Sequence, residues 1–306
     1  YNESVLYKNY NKLPNIIYKD VRKIVEEDLR DFEVIIHLAE LSNDKLGQID
    51  TNVTYGINHN GTVEMAKKAK KIGIKKFIYL SSCSVYGASD QVSSETSRVN
   101  PLTEYATCKV LNEKALSEMA DSNFSPVFLR NATAYGPSPH MRFDLVINNL
   151  CGLAYTTGKI VMESDGMPWR PFVHVLDICE AVKCVLEAPK KTIHNEIFNV
   201  GDTNANYQIK DIAQIISESL PACQITLNKQ GVDKRNYKVN FKKINSELPG
   251  FSCKRTVRSG VKELVDLFRK INLQKENFLS KNYYRIEQIE HLRNNNTINS
   301  ELFWNN

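Results

Sequence analysis

Short apolar runs alternate with amphipathic stretches along most of this chain, and that alternation limits the folds it can adopt. EVIIHLAE (33–40) and KKFIYLSS (75–82) are the continuous apolar runs expected of strands covered on both faces. Residues 52–73 and 102–120 carry apolar side chains at helical spacing. Further strands are predicted at 15–20, 125–132 and 194–201, and further helices at 174–188 and 208–220. Alternating strands and helices predict an α/β fold with a doubly wound parallel sheet.

The front of the chain lacks the feature that usually opens a dinucleotide-binding sheet. Such a sheet begins with a strand, a Gly-rich turn and a helix, but the 13 glycines here never cluster as GxGxxG. The first predicted strand, 15–20, is typical of a later strand of such a sheet. Because Tyr1 is not a Met, we expect the first βαβ unit, about 30 residues, to lie upstream of it. A fold that binds no dinucleotide is the alternative.

Composition argues against several classes of function. The net charge of +5 over 306 residues is spread along Lys-rich helices, which indicates solvated faces more than a nucleic-acid site. The 7 cysteines are scattered without a CxxC pair, which argues against a disulfide framework or a zinc site and favours a reducing compartment. No apolar run reaches about 18 residues. We therefore expect a cytoplasmic protein with no metal, no membrane span and no nucleic-acid partner.

A serine, a tyrosine and a lysine form the candidate catalytic set. Ser82 ends a predicted strand, at the edge where open α/β sheets bind ligands. Tyr105 and Lys109 lie four residues apart on the following helix and share one face. A neighbouring ammonium favours the phenolate form of a tyrosine and so prepares it for proton transfer. The alternative is that YxxxK arises by chance on an amphipathic helix.

Six motifs in order resemble those of a known family. They are IIHLAELSND, INHNGTVEMA, FIYLSSCSVYG, YATCK, AYGPS and RPFVHVLDICEA, and the resemblance extends over residues 15–268. Together they resemble the extended short-chain dehydrogenase/reductases, and among these the NAD-dependent epimerase/dehydratase family that acts on nucleotide sugars. The resemblance implies a Rossmann-type domain, an NAD cofactor, a nucleotide-diphosphate sugar as substrate and a homodimer paired through helices 52–72 and 102–120. NADP stays open, because the usual discriminator follows a strand that the sequence lacks.

The resemblance also implies roles for individual residues. Tyr105 would be the acid/base, with Lys109 binding the nicotinamide ribose and Ser82 binding the substrate oxygen. KDVR, HLAE and INHNGT match motifs that line the cofactor, although Glu40 departs from the usual Ala or Gly. The implied cofactor-binding residues are Asp20, Val21, Leu38, Ala39, Asn58, Tyr105 and Lys109. The implied substrate-binding residues are Ser82, Cys83, Thr133, Arg170, Asp233, Arg235 and Tyr237.

Two departures bear on the reaction. Sugar dehydratases of the family carry Asp and Glu directly after the catalytic Ser or Thr, whereas this chain has Cys83 and Ser84. Dehydration is therefore disfavoured. The family's substrate-binding Asn is replaced by Thr133, with Asn131 nearby in a different register. These differences leave the identity of the sugar open.

The sequence favours an NAD-dependent nucleotide-sugar epimerase that works through a transient keto-sugar. A keto-sugar reductase or dehydrogenase and a non-catalytic nucleotide-binding protein are the alternatives. We predict a cofactor-binding domain at 1–137 and 177–220, a substrate lobe at 138–176 and 221–275, and a helical tail at 276–306. The polar stretch 227–241 within the lobe is predicted to be a loop.

Overall fold

The computed structural model describes residue 6 and residues 15–42, 50–231 and 235–305, without the side chains of 163 and 227–231. A continuous helix, α1 (51–71), contains a π-helical stretch at Tyr55–Gly61. The other helices are α2 (Glu104–Glu118), α3 (Val146–Thr157), α4 (Val175–Glu187), α5 (Lys190–Ile193), α6 (Ile209–Ser219), α7 (Lys242–Glu247), α8 (Val257–Lys270), α9 (Lys275–Phe278) and α10 (Arg285–Asn294). The strands are β1 (Val34–His37), β2 (Lys76–Ser82), β3 (Ala88–Ser93), β4 (Ser125–Asn131), β5 (Thr133–Tyr135), β6 (Lys159–Ser164), β7 (Trp169–His174), β8 (Ile197–Val200), β9 (Asn206–Gln208), β10 (Gln224–Gly231) and β11 (Asn236–Val239).

A parallel sheet of order β1-β2-β4-β8 forms the centre of the fold. The middle strands, β2 and β4, run in register from Lys76 opposite Ser125 to Ser82 opposite Asn131. Both strands are buried over nearly their whole length, as their apolar sequences require. Helix α1 connects β1 to β2, and α2 lies between β2 and β4 in the chain. The predicted α/β class with a parallel sheet is confirmed.

The strand predicted at 15–20 is wrong. This segment belongs to no sheet of the described residues, and its side chains at Ile16 and Ile17 are 49% and 61% exposed. The segment ends at Asp20, whose carboxylate caps the short turn Val21–Lys23 by accepting a hydrogen bond from the Arg22 amide. Adjacent β-branched residues favour a strand locally, but a strand also needs a pairing edge, which local sequence does not reveal.

A second group of elements builds a smaller body beside the sheet. Strand β7 pairs with β5 and β9, β6 pairs with β10, and β11 pairs with β3. The loop predicted at 227–241 is therefore wrong in part, because β10 ends and β11 lies within it. Aromatic rings fill the adjacent core, where Phe143 lies 4.9 Å from Phe278 and 5.8 Å from Phe268 between ring centroids. This core fixes the position of the β7 strand that carries Arg170.

The C-terminal segment returns to the front of the described chain. Helix α10 and the residues after it pack on Val21, Leu41, Val53 and Ile57. The guanidinium of Arg22 lies 3.6 Å above the Phe303 ring. In the described parts of the chain, no helix is both long and apolar enough to cross a bilayer.

Candidate active site

Ser82 lies at the carboxyl end of β2, as the sequence predicts. Its hydroxyl accepts a hydrogen bond from the Ser84 amide at 3.1 Å and so starts the short turn Cys83–Tyr86. The side chain stays partly accessible. Cys83, by contrast, is 1% exposed, and its thiol donates to the Arg130 carbonyl at 3.1 Å. The turn therefore keeps Ser82 at the edge of the sheet and directs Cys83 into the core.

Tyr105 and Lys109 lie on the first turns of α2. Thr103 caps this helix by accepting a hydrogen bond from the Ala106 amide at 3.2 Å. The Lys109 ammonium lies 5.4 Å from the Tyr105 ring centroid and 4.6 Å from that of Tyr79. It also donates to the Leu80 carbonyl in β2. The helix thus brings the predicted Tyr and Lys together beside the strand that ends in Ser82.

Glu40 and Tyr79 join this set, although the sequence analysis assigned a role to neither. The Lys109 ammonium is 2.7 Å from one carboxylate oxygen of Glu40, and the Tyr79 hydroxyl donates to the other at 2.6 Å. Burial is the largest cause that raises the pKa of Tyr79, and the Glu40 charge adds to it. Tyr79 is therefore a neutral hydrogen-bond donor here. Glu40 did stand out in the sequence as a departure from Ala or Gly.

Asn58 fixes the chain segment that follows β1. Its side-chain oxygen accepts from the Leu41 amide at 2.8 Å, and its nitrogen donates to the Leu41 carbonyl at 3.2 Å. Between this anchor and β1 lie Leu38, which is 61% exposed, and Ala39, also exposed. The predicted cofactor-lining residues Leu38 and Ala39 are therefore accessible at the carboxyl edge of the sheet, while Asn58 holds their loop.

Asp20 and Val21, also predicted to bind the cofactor, contact other residues of the chain. The Asp20 carboxylate accepts hydrogen bonds from the Arg22 amide and from two nitrogens of its guanidinium, each at 2.8 Å. Burial alone would raise the pKa of Asp20, but its hydrogen bonds and the positive charge of Arg22 hold that pKa below its ordinary value. Val21 packs with the apolar cluster under α10. Arg22 thus engages the carboxylate that the resemblance assigns to the cofactor.

Most of the predicted substrate-binding residues of the smaller body lie together. Arg170 in β7 is 5% exposed, donates to the carbonyl of Trp169 at 2.7 Å and to that of Arg235, and lies 5.5 Å from the Tyr237 ring centroid. Thr133 is partly buried in the neighbouring strand β5. Asp233 lies outside the described residues. The structure therefore joins Arg170, Arg235 and Tyr237.

Gly87 follows the turn after Ser82 and cannot accept a side chain without strain. Its φ is +64°, and a Cβ here would lie 1.9 Å from the Asn100 carbonyl oxygen. We expect Gly87→Ala to lower the free energy of unfolding by at least about 2 kcal/mol, since left-handed strain adds to a backbone clash. Gly73→Ala is the control, with φ +88° and open space around it, and should cost about 1 kcal/mol. If urea unfolding showed the same loss of stability for both variants, the Asn100 carbonyl would have to move away from the added methyl group.

Comparisons with known proteins show the family of this chain. The family model described as "NAD dependent epimerase/dehydratase family" matches residues 12–201. The dTDP-D-glucose 4,6-dehydratase of Mus musculus is 27% identical over 254 residues, which cover 79% of this chain and 69% of that protein. The UDP-glucose 4-epimerase of Mycolicibacterium smegmatis is 34% identical over 160 residues, 49% of each chain.

A solved structure supports the fold. The UDP-glucuronic acid 4-epimerase from Bacillus cereus, in complex with UDP-glucuronic acid and NAD, superposes with a TM-score of 0.74 at 24% identity and covers 83% of this chain and 81% of its own. At this identity the likeness shows the fold alone, but the family model spans more than half of the chain. This chain therefore belongs to the NAD dependent epimerase/dehydratase family.

Proposed function

We propose that this protein is an NAD-dependent nucleotide-sugar epimerase that works through a transient keto-sugar, with Tyr105 as acid and base. The observation that carries the proposal is the approach of the Lys109 ammonium to the Tyr105 ring, at 5.4 Å, beside the strand that ends in Ser82. A cation at this distance favours the phenolate, which is the form that accepts a proton. Ser82 supplies a hydroxyl at the same edge of the sheet.

The residues at the nicotinamide end of the proposed site fit NAD. Leu38 is 61% exposed at the carboxyl edge, and Lys109 supplies a buried ammonium close to Tyr105. Leu38 and Ala39 would line the cofactor, and Lys109 would bind its ribose. Bound NAD would supply the hydride acceptor for oxidation of the sugar and the hydride donor for its reduction. The choice of NAD over NADP is supported by the family and by related solved complexes that contain NAD.

Side chains of the protein itself transfer the proton. Tyr105 takes the proton of the sugar hydroxyl as that carbon is oxidised to a ketone, and it gives the proton back when the ketone is reduced. Ser82 donates a hydrogen bond to the same oxygen and holds it near Tyr105. Lys109 lowers the cost of forming the phenolate. These steps need a sugar that can present either face of its ketone, or be protonated again at the neighbouring carbon.

The smaller body offers a site for the nucleotide diphosphate. There the Arg170 guanidinium lies 5.5 Å from the Tyr237 ring centroid and donates to the main-chain carbonyl of Arg235. Guanidinium groups bind phosphate oxygens well, and rings stack on bases. Thr133 and Asp233 complete the proposed substrate set, whereas Cys83 is buried against the Arg130 carbonyl. Related proteins that act on dTDP-glucose and UDP-glucose support this class of substrate.

Dehydration is the reaction of several relatives, but the residues after Ser82 do not favour it here. Elimination of water needs an acid and a base at the sugar, which the family's dehydratases supply as Asp and Glu. Cys83 and Ser84 occupy those positions and are 1% and 7% exposed. Burial raises the pKa of the Cys83 thiol well above its ordinary value, so it is a poor base. An epimerase, or a reductase or dehydrogenase using the same Tyr105, is therefore the better proposal.

The test is to incubate the protein with NAD and a panel of UDP- and dTDP-linked hexoses and hexuronic acids, in deuterated water, under proton NMR. We expect one sugar to invert at a single carbon without net NADH formation. Absence of deuterium at that carbon would indicate direct hydride return, and deuterium at a neighbour would indicate protonation there. Net NADH formation would instead identify a dehydrogenase, and NADH consumed with a supplied keto-sugar a reductase. NADH binding without turnover of any sugar would favour the non-catalytic alternative.

The homodimer is a separate proposal. Helices α1 and α2 are the predicted pairing elements, and they pack against each other along one side of the sheet. Light scattering on a gel-filtration peak should give twice the chain mass of 35.0 kDa. A mass equal to one chain over the tested concentrations would contradict it.

A further inference from the structure

The buried carboxylate of Glu40 is built into the site by the fold. Its side chain is 1% exposed, and it lies three residues after β1 ends at His37. Two hydrogen bonds between Asn58 and the Leu41 backbone fix the loop on the far side of Glu40. The Tyr79 hydroxyl holds one carboxylate oxygen at 2.6 Å. Strand β1, the Asn58 side chain and the Tyr79 hydroxyl thus restrain Glu40 beside Lys109.

The Lys109 ammonium is likewise held by two partners. An ammonium has three donor hydrogens, and here it contacts the Glu40 carboxylate at 2.7 Å and the carbonyl of Leu80. A buried cation needs such partners because it has lost its water. The counter-charge lies at 2.7 Å from the ammonium, whereas the Tyr105 ring centroid lies at 5.4 Å. Tyr105 therefore faces an ion pair more than an isolated cation.

We propose that Glu40 is a positioning residue for the acid/base pair: it fixes the Lys109 ammonium against β2 and offsets most of the field that this cation exerts on Tyr105. The inference rests on the proposed function, in which Tyr105 transfers the proton. It means that the phenolate of Tyr105 forms at a higher pH than an unpaired lysine would give. Turnover is then limited by Tyr105 protonation until the solution becomes alkaline.

Two of the titratable groups near Tyr105, His37 and Cys108, do not change charge near neutral pH. Burial and the Lys109 charge lower the pKa of His37 to about 3, which leaves that ring neutral. Burial, with Glu40 and Glu104, raises the pKa of Cys108 to about 12. Among the described residues, the titratable and charged groups near this region are Tyr55 and His59 in α1, His37 in β1, Glu40 in the following loop, Tyr79 in β2, and Glu104, Cys108, Lys109 and Glu113 in α2.

The test is a titration of Tyr105 by tyrosinate absorbance in the ligand-free protein. The difference between each background and its Tyr105→Phe counterpart isolates this tyrosine from the others. Glu40→Gln keeps the shape of the side chain and removes its charge. We expect the Tyr105 midpoint to fall by about one pH unit, since removal of a nearby anion favours the phenolate. An unchanged midpoint in a folded Glu40→Gln protein would overturn the proposal.

Two further variants separate the effect of the Glu40 charge on Tyr105 from the effect of disturbed packing. Tyr79→Phe removes a hydrogen bond from the same carboxylate but no charge, and it should leave the Tyr105 midpoint near the wild-type value. Lys109→Met leaves Glu40 buried without a counter-charge, which favours its neutral form, so the Tyr105 midpoint should rise by less than one pH unit. A rise of a full pH unit or more in Lys109→Met would mean that Glu40 does not offset the Lys109 charge, and it would overturn the proposal even if Glu40→Gln fails to fold.

The Tyr105 titration can be measured whether or not the protein turns over a sugar. If no nucleotide sugar reacts, the proposed function fails while the titration still reports on Glu40. If the enzyme is active, the acid limb of its pH–rate profile should move down in Glu40→Gln by the same amount as the Tyr105 midpoint. A purely structural Glu40 would lower stability and leave both the midpoint and the profile in place.

Discussion

Tyr105→Phe is expected to lower kcat by about 10²–10⁴, because the variant keeps the ring and loses the group that moves the proton. The ring remains within reach of the Lys109 ammonium, so the helix and its neighbours should hold their places. NADH should still bind, although Tyr105 is itself an implied cofactor contact, since Lys109, Leu38 and Ala39 are intact. The measurements are steady-state rates with the sugar identified by NMR, and a fluorescence titration with NADH.

Tyr155→Phe is the matched control for this prediction. Tyr155 lies in α3, and its ring is 5.7 Å from that of Phe268 in the core of the smaller body. Loss of its hydroxyl should leave kcat within about twofold of the wild type, as for surface or peripheral changes. If Tyr105→Phe retained a rate within tenfold of the wild type while remaining folded, another group would have to transfer the proton.

The sequence predicted the framework of the site because its signals are local. Apolar runs identified β1, β2 and β4, and helical spacing identified α1 and α2 to within a few residues. A separation of four residues is enough to place Tyr105 and Lys109 on one face of a helix. The end of a strand is likewise enough to place Ser82 at the ligand-binding edge.

Contacts between distant parts of the chain could not be predicted in this way. Glu40 and Lys109 are far apart in sequence, and the pairing of β1 with β2 and the packing of α2 on β2 together bring them to 2.7 Å. Strand β11 exists because β3 offers it a partner, not because its polar sequence favours a strand. In each case a charge or an edge elsewhere in the fold decides the outcome.

The second large effect concerns the ion pair behind the site. Arg130 in β4 and Glu113 in α2 form a two-pronged pair at 2.9 and 2.6 Å, and their side chains are 5% and 8% exposed. Ser81 donates to Glu113 at 2.5 Å, and Arg130 donates to the Tyr86 hydroxyl at 3.0 Å. Burial lowers the pKa of Arg130, but Glu113 and Tyr86 outweigh it, so the guanidinium stays charged.

We expect Glu113→Leu or Arg130→Met alone to lower the free energy of unfolding by about 3–5 kcal/mol, since each leaves a buried charge unpaired. The double variant should cost less than the sum of the two, because it leaves no charge behind. Urea unfolding followed by circular dichroism measures each value. The exposed pair Glu64–Lys67, 2.8 Å apart with side chains 53% and 58% exposed, is the control, and Glu64→Gln should cost under about 1 kcal/mol.

The unfolding free energies of the four variants together show whether Glu113 and Arg130 stabilise the fold as a buried ion pair. Strict additivity of the two buried variants would mean that Glu113 and Arg130 act independently, despite their direct contact. Single losses as small as that of Glu64→Gln would mean that water reaches the pair and replaces the missing partner. A large single loss with recovery in the double variant would establish that the charges are sealed between α2 and β4. The same packing holds α2, and with it Tyr105 and Lys109, against the edge where Ser82 lies.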